Sequence, residues 1–185
     1  MVSGVGFILV RHGQQSAGFH VDPDPGLDKT GVEQAAAMAA RLGADDGRLL
    51  FTSPLRRARE TMAALEVRWG RSATVEPRMA EVPTPGLSLD ARGHWLDGFL
   101  RGDWSDQPDY LQAWRAGIAA FLTGLERPAV IVSHFVVVNA VIGLATGDSR
   151  VTPSMPDHCS LNRFELRDGA FHLVEKGAQR KTVIG

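Results

Sequence analysis

The chain has a single cysteine, Cys159, among its 185 residues. An internal disulfide is thereby excluded, and so is a cysteine-based zinc site with its usual ligand count. Long hydrophobic runs are missing too. The apolar stretch at residues 5–10 has no basic segment before it, and it is too short for a signal-peptide core or a membrane span. These absences predict a cytoplasmic location and no membrane partner. Neither sign of charge dominates: 20 Lys and Arg face 21 Asp and Glu, for a net charge of −1. Without a global basic field, nucleic acid is not an expected partner. Repeats, low-complexity tracts and long Gly/Ser linkers are also absent.

What remains is ordinary globular composition, 44% hydrophobic and 22% charged. The length suits one domain over residues 1–185 with a sizeable core. Residues 5–10 read as a buried strand that runs into Arg11-His12-Gly13. Residues 13–27, rich in Gly, Asp and Pro, form a loop. Asp28 is placed to N-cap a helix to about residue 42, with Val32, Ala35, Ala36, Ala39 and Leu42 on one stripe. Residues 49–52 predict a second strand. Ser53 and Pro54 then suit the N-cap and first position of a helix towards Trp69. A short strand at 73–76 precedes an irregular stretch at 77–90. Helices are predicted at 89–100 and 110–125. Residues 129–133 form another apolar strand, ending at His134, and 135–145 a buried helix closed by Gly147. A hairpin over 160–166 and 170–175 turns at Asp168-Gly169. Residues 177–185 read as a loose tail.

Strands alternate with helices through residue 147. The fold class expected is α/β: a three-layer sandwich, a mostly parallel central sheet with helices on both faces, and an antiparallel C-terminal edge hairpin. Ligands of open α/β sheets bind at the carboxyl ends of the strands. Two strands end at His12 and His134, and a third leads through Ser53 to Arg57. If the three ends share one rim, Arg11, Arg57 and the two imidazoles converge there. Such a set suits a dianionic phosphate, because guanidinium forks match phosphate oxygens.

Leu9-Val10-Arg11-His12-Gly13 resembles the signature of the histidine phosphatase superfamily, the phosphoglycerate mutase-like proteins. The run Ser53-Pro54-Leu55-Arg56-Arg57-Ala58-Arg59-Glu60-Thr61 is similar to the family's second motif, and Val130-Ile131-Val132-Ser133-His134 to its third. Leu27 to Ala35 resembles its first helix. The blocks stand in family order. The resemblance implies a metal-independent phosphatase of the histidine acid phosphatase type, acting on phosphate monoesters with no cofactor. His12 would attack phosphorus and become a phosphohistidine; Arg11, Arg57 and His134 would clamp the phosphate. The leaving alkoxide needs a proton, for which Glu81 is the residue read as general acid, with Glu76 as the alternative. The expected partner is a small phosphorylated substrate, and the pattern specifies no oligomer.

Several positions depart from the family pattern. Gln14 stands where Glu is frequent, and Gln15-Ser16-Ala17-Gly18 replaces a Trp-Asn pair typical of the mutases. Phe135 follows His134 in place of glycine, and Asn139 replaces a frequent arginine. These changes weigh against a mutase or other phosphotransferase more than against a phosphatase. A phosphate-binding, catalytically inactive regulatory protein is a reading of a different class. Cys159 and Arg163 have three residues between them, too few for a Cys-phosphatase loop, so Cys159 reads as buried and inert. His158 is placed near the site mouth. His20, His94 and His172 read as surface or packing residues, Trp69 and Trp114 as core, and Trp95 and Trp104 either as core or as caps of the site. The pocket rim is expected from 13–27 and 82–110.

Overall fold

The computed structural model describes residues 4–18 and 21–180. In chain order the elements are β1 (Val5–Arg11), α1 (Lys29–Leu42), β2 (Leu49–Thr52), α2 (Arg56–Trp69), β3 (Thr74–Val75), α3 (Leu89–Leu100), α4 (Asp109–Thr123), β4 (Ala129–Ser133), α5 (Phe135–Thr146), β5 (Leu161–Arg167) and β6 (Ala170–Glu175). Short 3₁₀ turns lie at Pro77–Met79 and Trp104–Asp106.

The strands form one sheet in the order β3-β2-β4-β1-β5-β6. The first four are parallel neighbours, and β5 and β6 add an antiparallel edge. Successive side chains of a strand point to opposite faces, so β1 serves two cores. Phe7 and Leu9 join Ile118, Phe121 and Leu122 of α4 and Val137, Val138 and Val141 of α5. Ile8 and Val10 join Ala35, Met38 and Ala39 of α1 and Ala58, Met62 and Leu65 of α2. β4 divides the same way and is buried at every position. The α/β class with helices on both faces is therefore as expected. A third cluster unites Phe99 of α3, Trp104, Leu111 of α4, and Val136 and Ala140 of α5. It fastens α3 beside the start of α5. Among the described residues no helix is long and apolar enough to cross a membrane.

Local chemistry explains where the elements start and where the sequence reading fails. Asp28 caps α1 as expected, accepting the Gly31 N–H at 2.7 Å. The buried stripe of α1, however, is Gly31, Ala35, Met38 and Ala39; Val32 is 58% exposed. Helix rotation is set by close backbone approach. A Cβ on Gly31 would lie 2.1 Å from the Gln14 carbonyl, and one on Gly13 would lie 2.7 Å from that of Gly31. Gly13 thus serves the packing of α1.

The second helix begins at Arg56, two residues later than its expected first position at Pro54, and Ser53 does not cap it. Asp24 caps it instead, accepting the Arg56 N–H at 2.8 Å from the preceding loop. The hairpin turns at Asp168 and Gly169 with φ of 51° and 75°, as a type I′ turn requires. The loose tail expected from residue 177 is tied down over its described part. Gly177 N–H donates to Asn162 Oδ1 and Arg180 N–H to the Met155 carbonyl. Residues 181–185 and His20 lie outside the described residues.

Candidate active site

Parallel pairing brings three strand ends to one rim. Arg11 pairs with Ser133 and Thr52 with Val132, so His12, Ser53 and His134 leave the sheet side by side. The His12 N–H donates to the Ser133 carbonyl at 2.9 Å, and the Ser53 N–H to that of Val132 at 3.0 Å. The two imidazole rings stand 5.1 Å apart.

His12 is buried and oriented from both ring nitrogens. Its Nδ1 lies 2.7 Å from the Gly13 carbonyl, an acceptor that assigns the proton to Nδ1. Nε2 keeps its lone pair and accepts from Arg57 Nε at 3.2 Å. Burial, then the charge of Arg57, pushes the His12 pKa well below the imidazole range, so the ring is neutral near pH 7. The Gly13 peptide is held in turn. Its N–H donates to Thr61 Oγ1 at 2.9 Å, and that hydroxyl donates to the Arg57 carbonyl at 2.7 Å. Sequence reasoning gave Thr61 no role. Its signal is helical spacing: it lies four residues after Arg57, on the same face.

Arg11 and Arg57 are both buried. Arg11 Nη1 donates to the Pro156 carbonyl at 2.9 Å, and its guanidinium lies 5.2 Å from the centre of the Phe135 ring. Burial, with Arg180 adding to it, lowers the Arg11 pKa to about 10. Arg57 Nη1 stands 3.9 Å from the Asp24 carboxylate, and burial lowers its pKa as well. Arg11 Nε and Arg57 Nη1 have no hydrogen-bond partner among the described residues. Buried donors left unmet are costly, and here they belong to two cations beside one imidazole. An anion would satisfy them. Arg56 and Arg59 are exposed, and Arg56 Nε donates to Glu60 at 2.7 Å.

His134 is fully buried, with Nε2 2.6 Å from Ser53 Oγ and Nδ1 unpartnered. Ser53 is thereby diverted from capping α2. Burial, then proximity to His12, holds the His134 pKa well below its usual value. Glu81 follows the 3₁₀ turn at Pro77–Met79, and that turn is tied to the rim: Ser133 Oγ donates to the Met79 carbonyl at 2.7 Å. The Glu81 carboxyl group accepts the Val82 N–H at 3.0 Å and the Val136 N–H at the start of α5. Burial outweighs these bonds and raises its pKa, so the group can carry a proton at mildly acidic pH. Glu76 does not reach this cavity. Its carboxylate accepts from the Arg78 backbone and guanidinium, which hold its pKa down.

Arg11, His12, Arg57 and Glu81 share a cavity of about 240 Å³ with Gln15, Pro25, Leu96, Leu100, Phe135, Val136, Met155 and Arg180. His134 does not line it. The expected rim segments supply Gln15, Pro25, Leu96 and Leu100. Met155 and Arg180 were not foreseen; Arg180 arrives because the chain after β6 folds back onto the 155–157 loop. Trp104 does not cap the site but is core, 2% exposed, and Trp95 stacks on Phe99 at 4.8 Å. The His158 ring stands 6.0 Å from that of His12 and, through burial and the charge of Arg11, has its pKa lowered to about 4. Cys159 is buried, with its thiol pushed up to about 12, a poor nucleophile.

A profile of the histidine phosphatase superfamily (branch 1) matches residues 7–179. The chain belongs to that superfamily. Solved structures share its fold. The phosphoserine phosphatase of Entamoeba histolytica, in complex with 3-phosphoglyceric acid, superimposes with a TM-score of 0.76 at 19% identity, covering 95% of this chain and 98% of that one. For a mycobacterial glucosyl-3-phosphoglycerate phosphatase the TM-score is 0.72 at 22% identity, covering 96% and 100%. The protein histidine phosphatase SixA, complexed with tungstate, gives 0.65 at 16% identity, covering 94% and 97%. No curated protein matches the sequence significantly.

This member of the superfamily departs from the family pattern at positions whose roles are visible. The Phe135 ring packs on Arg11 and lines the cavity. Gln14 turns towards α1, donating from Nε2 to Asp28 at 2.8 Å and from its N–H to Gln34 at 2.8 Å. Asn139 is buried and bridges α5 to the 152–156 loop. Its Oδ1 accepts from Ser154 N–H at 2.9 Å and Oγ at 3.0 Å, and its Nδ2 donates to the Phe135 carbonyl at 3.1 Å.

Proposed function

We propose that this chain is a phosphatase that hydrolyses phosphate monoesters through a phosphohistidine on His12. The observation that carries the reading is the state of that ring. Nδ1–H is committed to the Gly13 carbonyl, and a neutral Nε2 lies against Arg57 in a cavity with unmet cationic donors. Membership of the superfamily supports it, as do structural neighbours named for phosphoserine and glucosyl-3-phosphoglycerate phosphatases.

In the first step the Nε2 lone pair attacks phosphorus in line, and the bond to the ester oxygen breaks. Glu81 gives its proton to the departing alkoxide. Arg11 and Arg57 face the equatorial oxygens, where charge collects in the loose transition state. His134 is a neutral ring, 5.1 Å from that of His12, whose Nδ1 has no hydrogen-bond partner among the described residues; we assign that nitrogen to the phosphoryl group once the group sits on His12. In the second step the Glu81 carboxylate takes a proton from water, the oxygen attacks phosphorus, and the P–N bond returns its pair to Nε2. Met155, on the rim, is 42% exposed, which leaves the cavity open to that water. A mutase would need the opposite, a site closed against hydrolysis.

The test is labelling with a phosphate-labelled monoester, quenched in alkaline detergent. Wild type is expected to trap an acid-labile, base-stable phosphoenzyme that His12→Ala lacks, together with loss of turnover. Turnover by His12→Ala within a few-fold of wild type would overturn the reading. Phosphate binding with no trapped phosphoenzyme and no turnover in wild type would favour an inactive binding protein.

A further inference from the structure

We propose that this site takes phosphomonoesters whose organic group is apolar, aryl or alkyl, in preference to phosphosugars and phosphoglycerates. The inference rests on the phosphatase reading only for its hydrolytic readout. The cavity is divided along its depth. Its base carries the polar groups Arg11, His12, Arg57 and Glu81, while its walls are Leu96 and Leu100 of α3, Phe135 and Val136 of α5, Met155 and Pro25. The walls come from separate segments, so the apolar character is not the accident of one helix face. Phe135 is held in place over Arg11. Met155, 42% exposed, is one of the few large apolar side chains left open to water. The remaining lining side chains, Gln15 and Arg180, come from the loop after β1 and from the chain end.

A phosphate seated among Arg11, His12 and Arg57 therefore directs its ester substituent along carbon. A polyol there would find hydrogen-bonding side chains beyond the base only in Gln15 and Arg180, and would lose water at the apolar walls without replacement; that loss is the stronger discriminator. A ring or short chain would instead bury apolar area on both sides. Size limits the group as well. At about 240 Å³ the cavity is smaller than the ~300–1,000 Å³ typical of drug-sized ligands, which fits a phosphate and one ring rather than a large conjugate.

Two measurements test this. Calorimetry compares benzylphosphonate with 2,3-dihydroxypropylphosphonate; benzylphosphonate is expected to bind about tenfold tighter or better. Initial rates compare phenethyl phosphate with glycerol 1-phosphate, both of which release primary alkoxides, so leaving-group chemistry is nearly matched. The kcat/KM ratio is expected to favour phenethyl phosphate by about tenfold or more. Met155→Gln and Leu96→Asn should each shrink both ratios several-fold; Met155 is exposed enough that its variant should fold even if the other does not. Equal or better turnover of glycerol 1-phosphate overturns the proposal while leaving the phosphatase reading intact. Tighter binding of benzylphosphonate with no hydrolysis of any monoester supports the apolar site and removes the phosphatase. Equal binding of the two phosphonates overturns the proposal whatever the rates.

Discussion

Replacing Thr61 by valine would remove one hydroxyl and almost no volume. That hydroxyl is fully buried and stands between two parts of the site, accepting the Gly13 N–H at 2.9 Å and donating to the Arg57 carbonyl at 2.7 Å. Valine fills the space, but it leaves the Gly13 N–H without a partner. A buried donor orphaned in this way costs about 1–3 kcal/mol. For a chain of this size each kcal/mol lowers Tm by roughly 2–4 °C, so a fall of about 2–12 °C is expected in a thermal melt. The larger effect should be on rate. The Gly13 carbonyl orients His12 through Nδ1, and a misplacement of about 1 Å at a reacting atom costs around 10²-fold. Steady-state kinetics should therefore show kcat reduced far more than KM is raised, since Arg11 and Arg57 remain. Thr61→Ser keeps the hydroxyl and should recover most of the rate. If Thr61→Val keeps kcat within twofold of wild type, or if Thr61→Ser is as slow as Thr61→Val, the hydroxyl does not position His12.

Two further outcomes follow from the site. His12 must be neutral to attack and Glu81 protonated to release an alkoxide; burial lowers the first pKa from 6.5 and raises the second from 4.5, so kcat/KM for an alkyl phosphate should peak on the acid side of neutral and fall as pH rises through the Glu81 pKa. In Glu81→Gln that alkaline limb should vanish, with the rate down about 10²–10⁴-fold, and a pH profile that keeps the limb would remove Glu81 from the role of acid. Asn139→Leu strips the Ser154 N–H of its acceptor, so the loop carrying Met155 and Pro156 should loosen, with about 1–3 kcal/mol of stability lost in denaturant melts and KM raised; an unchanged KM would show that the loop does not shape the site.

Much of this architecture was legible because it depends on neighbours in sequence. The buried strand β1, the Asp28 cap and the Asp168-Gly169 turn are local, and each came out as read. The convergence of Arg11, His12, Arg57 and Glu81 was legible in outline, since each follows a strand or its next turn. What failed was set by partners distant in sequence. Ser53 looks like a cap until His134, 81 residues away, claims its hydroxyl. Val32 looks buried until Gly31 meets the Gln14 backbone and fixes the rotation of α1. Arg180 reads as tail until the chain after β6 doubles back to Met155. No periodicity carries these contacts, because each depends on two segments meeting in space.

The division of the cavity has a consequence for how such a protein can change over generations. The base rests on β1 and β4, the two central strands of the sheet, where side chains are packed on both faces and the His12 amide is bonded across to Ser133. A substitution there disturbs two cores at once. Much of the wall rests on α3, a helix with one fully buried side chain, Phe99. Leu96 and Leu100 are half-buried against the cluster around Phe99 and Trp104, so exchange for another apolar side chain of similar volume costs less than about 1.5 kcal/mol. Selection can thus retune which alcohol is released without touching the phosphate chemistry, and α3 is the place to look for that drift among close relatives.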